Sequence, residues 1–262
     1  VVASSLKKFL LLPSIIKLSA KVPRDRHVAW DRYWGKIQSS GVEGDVLWDA
    51  GTDHELAGYL DTLRQFLDGH LPLVDVGCGH GRYTNLLVNH FPRVVGVDVS
   101  ANAIAQAQAS AQPGTQFHVA DFTAPGIGAE LARTLGDANV FVRGVFHVLN
   151  PASRIALAQN LRSLVGSRGR VFLVETDFRG DGLAYIDHLG GTAGNIPAPL
   201  KLAIGGLPKP GHFGLQERQE TFDQSEWTVL EEGSATIETV PLQRAGIPER
   251  IPGYFAVLEP TP

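Results

Sequence analysis

From residue 71 onward, short apolar runs alternate with amphipathic stretches. LPLVDVG, RVVGVDV (93–99), TQFHVAD (115–121), the start of ANVFVRGVFHVL and GRVFLVETD (169–177) each read as a buried strand. The stretches between them, about 81–90, ANAIAQAQAS, GIGAELARTLG and PASRIALAQNLRSLVG, carry helical periodicity. Strand and helix in strict alternation predict an α/β fold, a doubly wound, mostly parallel sheet. Upstream, Trp30, Tyr33, Trp34 and Ile37 recur at helical spacing, and Leu56, Leu60, Leu63, Phe66 and Leu67 predict a second amphipathic helix over about 53–68. Val46, Leu47 and Trp48 form a short apolar segment between them. The rhythm breaks at 178–220, rich in glycine and proline, with an apolar helical fragment at each end. So long an irregular insertion predicts a functional cover. The tail predicts a helix over about 223–231, then strands in SATIETVPLQ and PGYFAVLEP close enough to form an antiparallel pair at the sheet edge. The division expected is an N-terminal helical arm or lid over 1–70 and a main domain over 71–262.

Composition narrows the chemistry. With 262 residues, 44% of them hydrophobic, the chain can bury a full core. The net charge of −4 disfavours a nucleic-acid backbone as partner, and no nucleic acid is expected. A lone cysteine excludes an intrachain disulfide framework and a cysteine-based zinc site. No apolar run approaches the roughly 20 residues a membrane span needs. The first 22 residues mix Leu6, Phe9, Leu10 and Leu12 with Lys7, Lys8, Lys17 and Lys21, broken by Pro13 and Ser14. They fit a folded-over arm or an interfacial helix touching a membrane surface better than a secretory signal. A first residue of valine and the lack of methionine fit a removed initiator or a GTG start.

The sharpest motif is Val74-Asp75-Val76-Gly77-Cys78-Gly79-His80-Gly81, a strand entering a turn with glycine at every second position. Glycine serves where the backbone turns tightly or must lie against a ligand. Asp98 ends the next strand, 17 residues past Gly81, where a carboxylate can accept both hydroxyls of a ribose. The spacing is G-x-G-x-G, not the G-x-G-x-x-G of dinucleotide-binding folds. It resembles the class I methyltransferases that use S-adenosylmethionine (SAM), whose first motif is acidic-x-G-x-G-x-G. The resemblance spans about residues 71–177. Asp98 matches the acidic residue of the second motif, Ala120-Asp121-Phe122 the position that meets the adenine amino group, and Gly169-Arg170-Val171-Phe172-Leu173 the glycine-led fifth strand.

The resemblance implies a Rossmann-like seven-stranded sheet with an antiparallel last strand. It also implies SAM as cofactor, S-adenosylhomocysteine (SAH) as product and a cytoplasmic enzyme, monomer or homodimer. Asp75, Gly77, Cys78, Gly79, Asp98, Val99, Asp121, Phe122, Arg143 and Trp48 are the expected cofactor-binding residues. Cys78 is expected as a small packed residue, because nothing nearby in sequence activates it. The segment Trp30–Trp34, then Val46-Leu47-Trp48-Asp49, is loosely similar to the lead-in of thiopurine-methyltransferase-like enzymes, where it covers SAM.

Methylation of a hydroxyl needs a base, whereas sulfur and nitrogen acceptors do not. The fourth strand, Asn139 to Arg143, lacks the Asn/Asp-Pro-Pro-aromatic motif of enzymes that methylate bases or glutamine. Small-molecule methyltransferases often carry a histidine in this region, and His147 is the first candidate base. A small-molecule acceptor methylated on oxygen (a sugar, polyketide or phenol) is expected. An S- or N-methyltransferase or a non-catalytic SAM-binding protein is the alternative. Glu175 and Asp177, two residues apart at the end of the fifth strand, are the further catalytic candidates. With Asp181, His188 or His212 they could also hold a divalent metal, a route not favoured since no ligand spacing is diagnostic.

Overall fold

The computed structural model describes residues 10–261. The expectations resting on Leu6, Lys7, Lys8 and Phe9 lie outside the described residues. Seven strands make one sheet: β1 (Leu73–Val76), β2 (Val94–Asp98), β3 (Thr115–Val119), β4 (Asn139–Arg143), β5 (Val171–Thr176), β6 (Trp227–Glu238) and β7 (Arg250–Pro260), ordered 3-2-1-4-5-7-6. The first five are parallel, with Asp75 opposite Gly96 and Phe141, and Arg143 opposite Val174. β7 runs antiparallel to β5. It is also antiparallel to β6: the Thr239 N–H donates to the Glu249 carbonyl and the Thr261 N–H to that of Glu226. The strand order reverses between β1 and β4, and at such a switch point the carboxyl ends of the strands leave a crevice for ligand.

The ten helices among the described residues are α1 (Leu12–Ser19), α2 (Arg26–Trp34), α3 (His54–Phe66), α4 (Arg82–Leu87), α5 (Ala101–Ala109), α6 (Ile127–Leu135), α7 (Pro151–Val165), α8 (Gly182–His188), α9 (Ala198–Gly206) and α10 (Leu215–Thr221). Their starts are locally encoded. Ser100 accepts from the Ala103 N–H at 3.1 Å to cap α5, and Asn150 accepts from Ser153 at 2.9 Å to cap α7, with Pro151 in its first turn. The insertion is more helical than its glycine and proline content suggests, holding α8, α9 and α10.

The helix expected over about 223–231 is replaced by a turn and a strand. Asp223 accepts from the Ser225 N–H and hydroxyl, both at 2.8 Å, and β6 starts at Trp227. The turn chemistry stops α10, and an edge strand tolerates the charged pair Glu231–Glu232 that hid its alternation.

The chain divides into two compact units. One takes the described residues of Val1–Glu55, Phe178–Pro210 and Thr236–Pro252. In it α1 and α2 pack on α9, and Trp48 stacks on Tyr33 with ring centroids 5.4 Å apart, with Trp30 edge-on to Trp48 at 5.6 Å. Buried Asp49 accepts from the N–H groups of Gly41 and Gly51, closing the loop that carries Trp48. The other unit takes Leu56–Asp177, Gly211–Ala235 and Gly253–Pro262. Its core joins Val74, Val97, Val140, Val142 and Leu173 of the sheet to Leu157, Leu161 and Leu164 of α7. Each such fully buried aliphatic side chain contributes roughly 1.5–3 kcal/mol.

Candidate active site

β1 ends at Val76, and the chain turns back through glycines in the left-handed region: φ is 79° at Gly77, 55° at Gly79 and 82° at Gly81. A Cβ on Gly77 would lie 2.3 Å from Cγ2 of Val145, so the loop and the segment after β4 touch where a side chain would part them. The loop N–H of Gly79 donates to Asp98 Oδ2 at 2.9 Å, and the Ser100 N–H donates to Oδ1 at 2.9 Å. Asp98 therefore holds the glycine loop and the start of α5 in place, yet stays half-buried at the sheet edge. Val99 beside it is also half-buried. On the next strand, Asp121 Oδ1 accepts from the Thr123 N–H (2.9 Å) and hydroxyl (2.7 Å). The Phe122 ring packs into the core.

Asp75 lies beneath the loop, 3% exposed, and accepts from Thr84 Oγ1 of α4 at 2.6 Å. Burial pushes its carboxyl up to about 7, with the Asp98 charge adding, while Thr84 and Arg143 oppose the shift. Arg143 ends β4 with its guanidinium 4.8 Å from the centroid of the Tyr83 ring. The Cys78 thiol packs beside Ile104, Ala107 and Phe117, and burial together with Asp75 and Asp98 pushes its titration well up. It is a poor nucleophile and a good filler.

The second cluster follows β4. Phe146–Val148 form a single 3₁₀ turn, and Glu175 of β5, fully buried, caps it. Oε1 accepts from the N–H groups of Val145 (2.8 Å) and Phe146 (2.9 Å), and Oε2 from that of His147 (3.1 Å). The His147 ring meets Oε2 through Nδ1 at 2.8 Å. With three backbone donors already aimed at the carboxyl group, Nδ1 is assigned as a fourth, which leaves Nε2 as the acceptor nitrogen. Two more contacts fix the turn: Arg154 Nε donates to the Phe146 carbonyl at 2.8 Å, and the Gly211 N–H donates to that of His147 at 2.9 Å.

The structure thus joins Glu175 and His147, 28 residues apart. Asp177 lies half-buried just beyond β5. The remaining metal candidates have protein partners: Asp181 caps α8 through Ala184 at 2.7 Å, His188 meets the Arg250 carbonyl at 2.8 Å, and His212 pairs with Glu217 at 3.0 Å. Among the described residues no group of three or more His, Cys, Asp or Glu gathers as a metal site. Trp48 belongs to the aromatic cluster of the first unit. Thr84, Tyr83, Val145 and Arg154 escaped the sequence reading. A hydroxyl in the first turn after the glycine loop was the available signal for Thr84; nothing local marks the other three.

The donor set suits SAM. Gly77, packed against Val145, and the positive φ of Gly77, Gly79 and Gly81 hold the loop in a tight turn after β1. Asp75, Asp98 and Asp121 at the ends of β1, β2 and β3 favour a cationic ligand rich in hydroxyl and amino donors. They would repel a pyrophosphate, for which no loop lysine is present.

The comparisons agree. Residues 73–169 match a family described as a methyltransferase domain. No curated protein matches the chain. A SAM-dependent methyltransferase from Anabaena variabilis is 27% identical, with 92% of this chain and 97% of that one covered and a TM-score of 0.79. Two further structures share the fold. One was solved for the conversion of a disulfide bond into a thioacetal group during echinomycin biosynthesis (18% identical, 87% of each chain covered, TM-score 0.61). The other is magnesium protoporphyrin IX methyltransferase from Synechocystis with bound SAH (17% identical, 89% and 93% covered, TM-score 0.54). Sheet order, acidic glycine loop and matched domain together support a class I SAM-dependent methyltransferase domain built around residues 73–169, with SAM as the cofactor.

Proposed function

We propose that the enzyme methylates a hydroxyl of a small molecule, with His147 as general base and Glu175 as the residue that positions it. The observation that carries this reading is the 2.8 Å contact between His147 Nδ1 and the buried Glu175 carboxylate. A base needs a fixed tautomer, and an acceptor on Nδ1 leaves Nε2 ready to take a proton.

The cofactor set we propose is the loop residues Asp75, Gly77, Cys78 and Gly79, with Asp98 and Val99 at the ribose and Asp121 and Phe122 at the adenine. Arg143 and Trp48 complete it. When bound, SAM supplies a methyl group on a cationic sulfur, open to in-line displacement. The chain's own work is to align the acceptor, exclude water and remove its proton at His147 Nε2 as the new O–C bond forms. Residues 1–70 and the insertion 178–220 are proposed to carry acceptor choice, because the matched family domain includes neither. Dependence on a pool of SAM supports a cytoplasmic site of action.

His147→Ala tests the reading. Turnover with a hydroxyl acceptor should fall about 10²–10⁴-fold, the usual worth of a positioned base. The SAM dissociation constant measured by calorimetry should change less than about twofold. Unchanged turnover would remove His147 from the chemistry. No turnover by the wild type with any acceptor class, alongside intact SAM binding, would favour a binding protein.

A further inference from the structure

The N-terminal segment carries a feature that methyl transfer does not use. Helix α1 has two apolar faces. One, Leu11, Ile15 and Leu18, is packed: Leu11 is buried, and Leu18 Cδ2 reaches Gly205 of α9. The other is left outside, with Leu12 40% and Ile16 58% exposed one turn apart and Leu10 63% exposed just before them. A helix docked only by its packed face has no need of that second stripe, because exposed aliphatic side chains lose free energy to water.

The charge around this stripe is of one sign. Lys17, Lys21 and Arg24 are exposed, and the sequence adds Lys7 and Lys8 upstream. Four of the chain's seven lysines fall in the first 21 residues, and the first acidic residue is Asp25, in a protein whose net charge is −4. Such segregation contrasts with the acidic remainder of the chain. Long lysine stems can lie along an apolar surface while their ammonium groups reach for anions. No helix among the described residues is long and apolar enough to cross a membrane.

We propose that α1 docks the protein on an anionic lipid surface. The helix lies in the interface plane, Leu10, Leu12 and Ile16 entering the headgroup boundary and Lys17, Lys21 and Arg24 meeting lipid phosphates. An aliphatic stripe flanked by lysines, with no carboxylate before Asp25, is complementary to a negatively charged bilayer. A second copy of this chain would bring the same positive charge to the same place and repel it.

The test is sedimentation of the full-length protein with vesicles of phosphatidylcholine alone and of phosphatidylcholine with about one quarter phosphatidylglycerol. Expected are binding to the anionic vesicles only and its weakening as salt rises. Lys17→Gln and Lys21→Gln should each weaken binding about fivefold. Leu12→Glu with Ile16→Glu should abolish it. Because these side chains are already exposed, thermal unfolding and SAM binding of all variants should match the wild type. Absence of binding to anionic vesicles at low salt would overturn the proposal, as would binding indifferent to Leu12 and Ile16. So would a dimer in sedimentation velocity that Ile16→Glu dissociates while vesicles are ignored, for then the face belongs to a second copy.

Discussion

The two halves of the sheet's carboxyl edge use carboxylates in opposite ways. On the β2 and β3 side, Asp98 and Asp121 are half-buried and accept from nearby groups, among them the N–H groups of Gly79 and Ser100 and the Thr123 N–H and hydroxyl. On the β4 and β5 side, Glu175 is fully buried and takes four protein contacts. A half-exposed carboxylate can still meet a ligand. Glu175, sealed between strands, acts here through the His147 ring it holds. Position at a strand end is therefore not enough to assign a role, because burial separates these two sets of carboxylates.

The sharpest way to break this comparison is at the seam between the halves. Gly77→Ala imposes a positive φ on a side chain and drives its Cβ into Val145. A loss of about 2–5 kcal/mol is expected from strain and overpacking combined, read from denaturant midpoints, with SAM binding weakened in step. A variant of wild-type stability would mean the loop and the β4 segment do not need their close approach.

Glu175→Gln comes next. Replacing a buried acceptor of four donors should cost about 2–4 kcal/mol of stability and lower turnover on the order of 100-fold, while SAM affinity in the folded fraction stays near wild type. Loss of SAM affinity with turnover retained would put Glu175 in the cofactor half instead. Asp98→Ala should do the reverse, weakening SAM binding by about 1.5–3 kcal/mol, the scale of hydrogen bonds to a charged group. Titration calorimetry reads it directly, and unchanged affinity would displace the ribose site from the end of β2.

The smallest effect concerns Asp75. Burial pushes its carboxyl up to about 7 in the folded chain, from an ordinary value of 3.8. Between those values the folded state keeps a proton that the unfolded state has lost. This group therefore makes stability fall as pH rises through that window and level off above it. The wild type should lose on the order of 1–2 kcal/mol relative to Asp75→Asn between pH 6 and 8. A cationic ligand favours the ionised carboxylate, so SAM binding should tighten over the same range. Parallel pH profiles for wild type and Asp75→Asn would show that burial does not hold the proton.

Much of the fold was legible because its signals are local. The runs around Val74, Val97, Val140 and Leu173 are mostly apolar, as suits strands covered on both faces, and each glycine in Gly77-Cys78-Gly79-His80-Gly81 sits where the turn demands it. The same locality misled at 223–231, where the Asp223–Ser225 turn and the charges of β6 mask an edge strand. It also gave no sign that Trp48 packs with Trp30 and Tyr33, because their rings reach it only after α2 and the Asp49-closed loop have formed.

The sequence by itself determined the alternating architecture, the acidic glycine loop and the carboxylates at the ends of β2 and β3, each written within a strand and its following turn. Only the tertiary structure decided what Glu175 does. Parallel pairing puts Arg143 opposite Val174, and that register carries the turn after β4 onto a carboxylate 28 residues away. Burial between two strands then supplies the dry surroundings in which four short contacts outcompete water. No spacing in the chain encodes that meeting, because it exists only once β4 and β5 lie side by side.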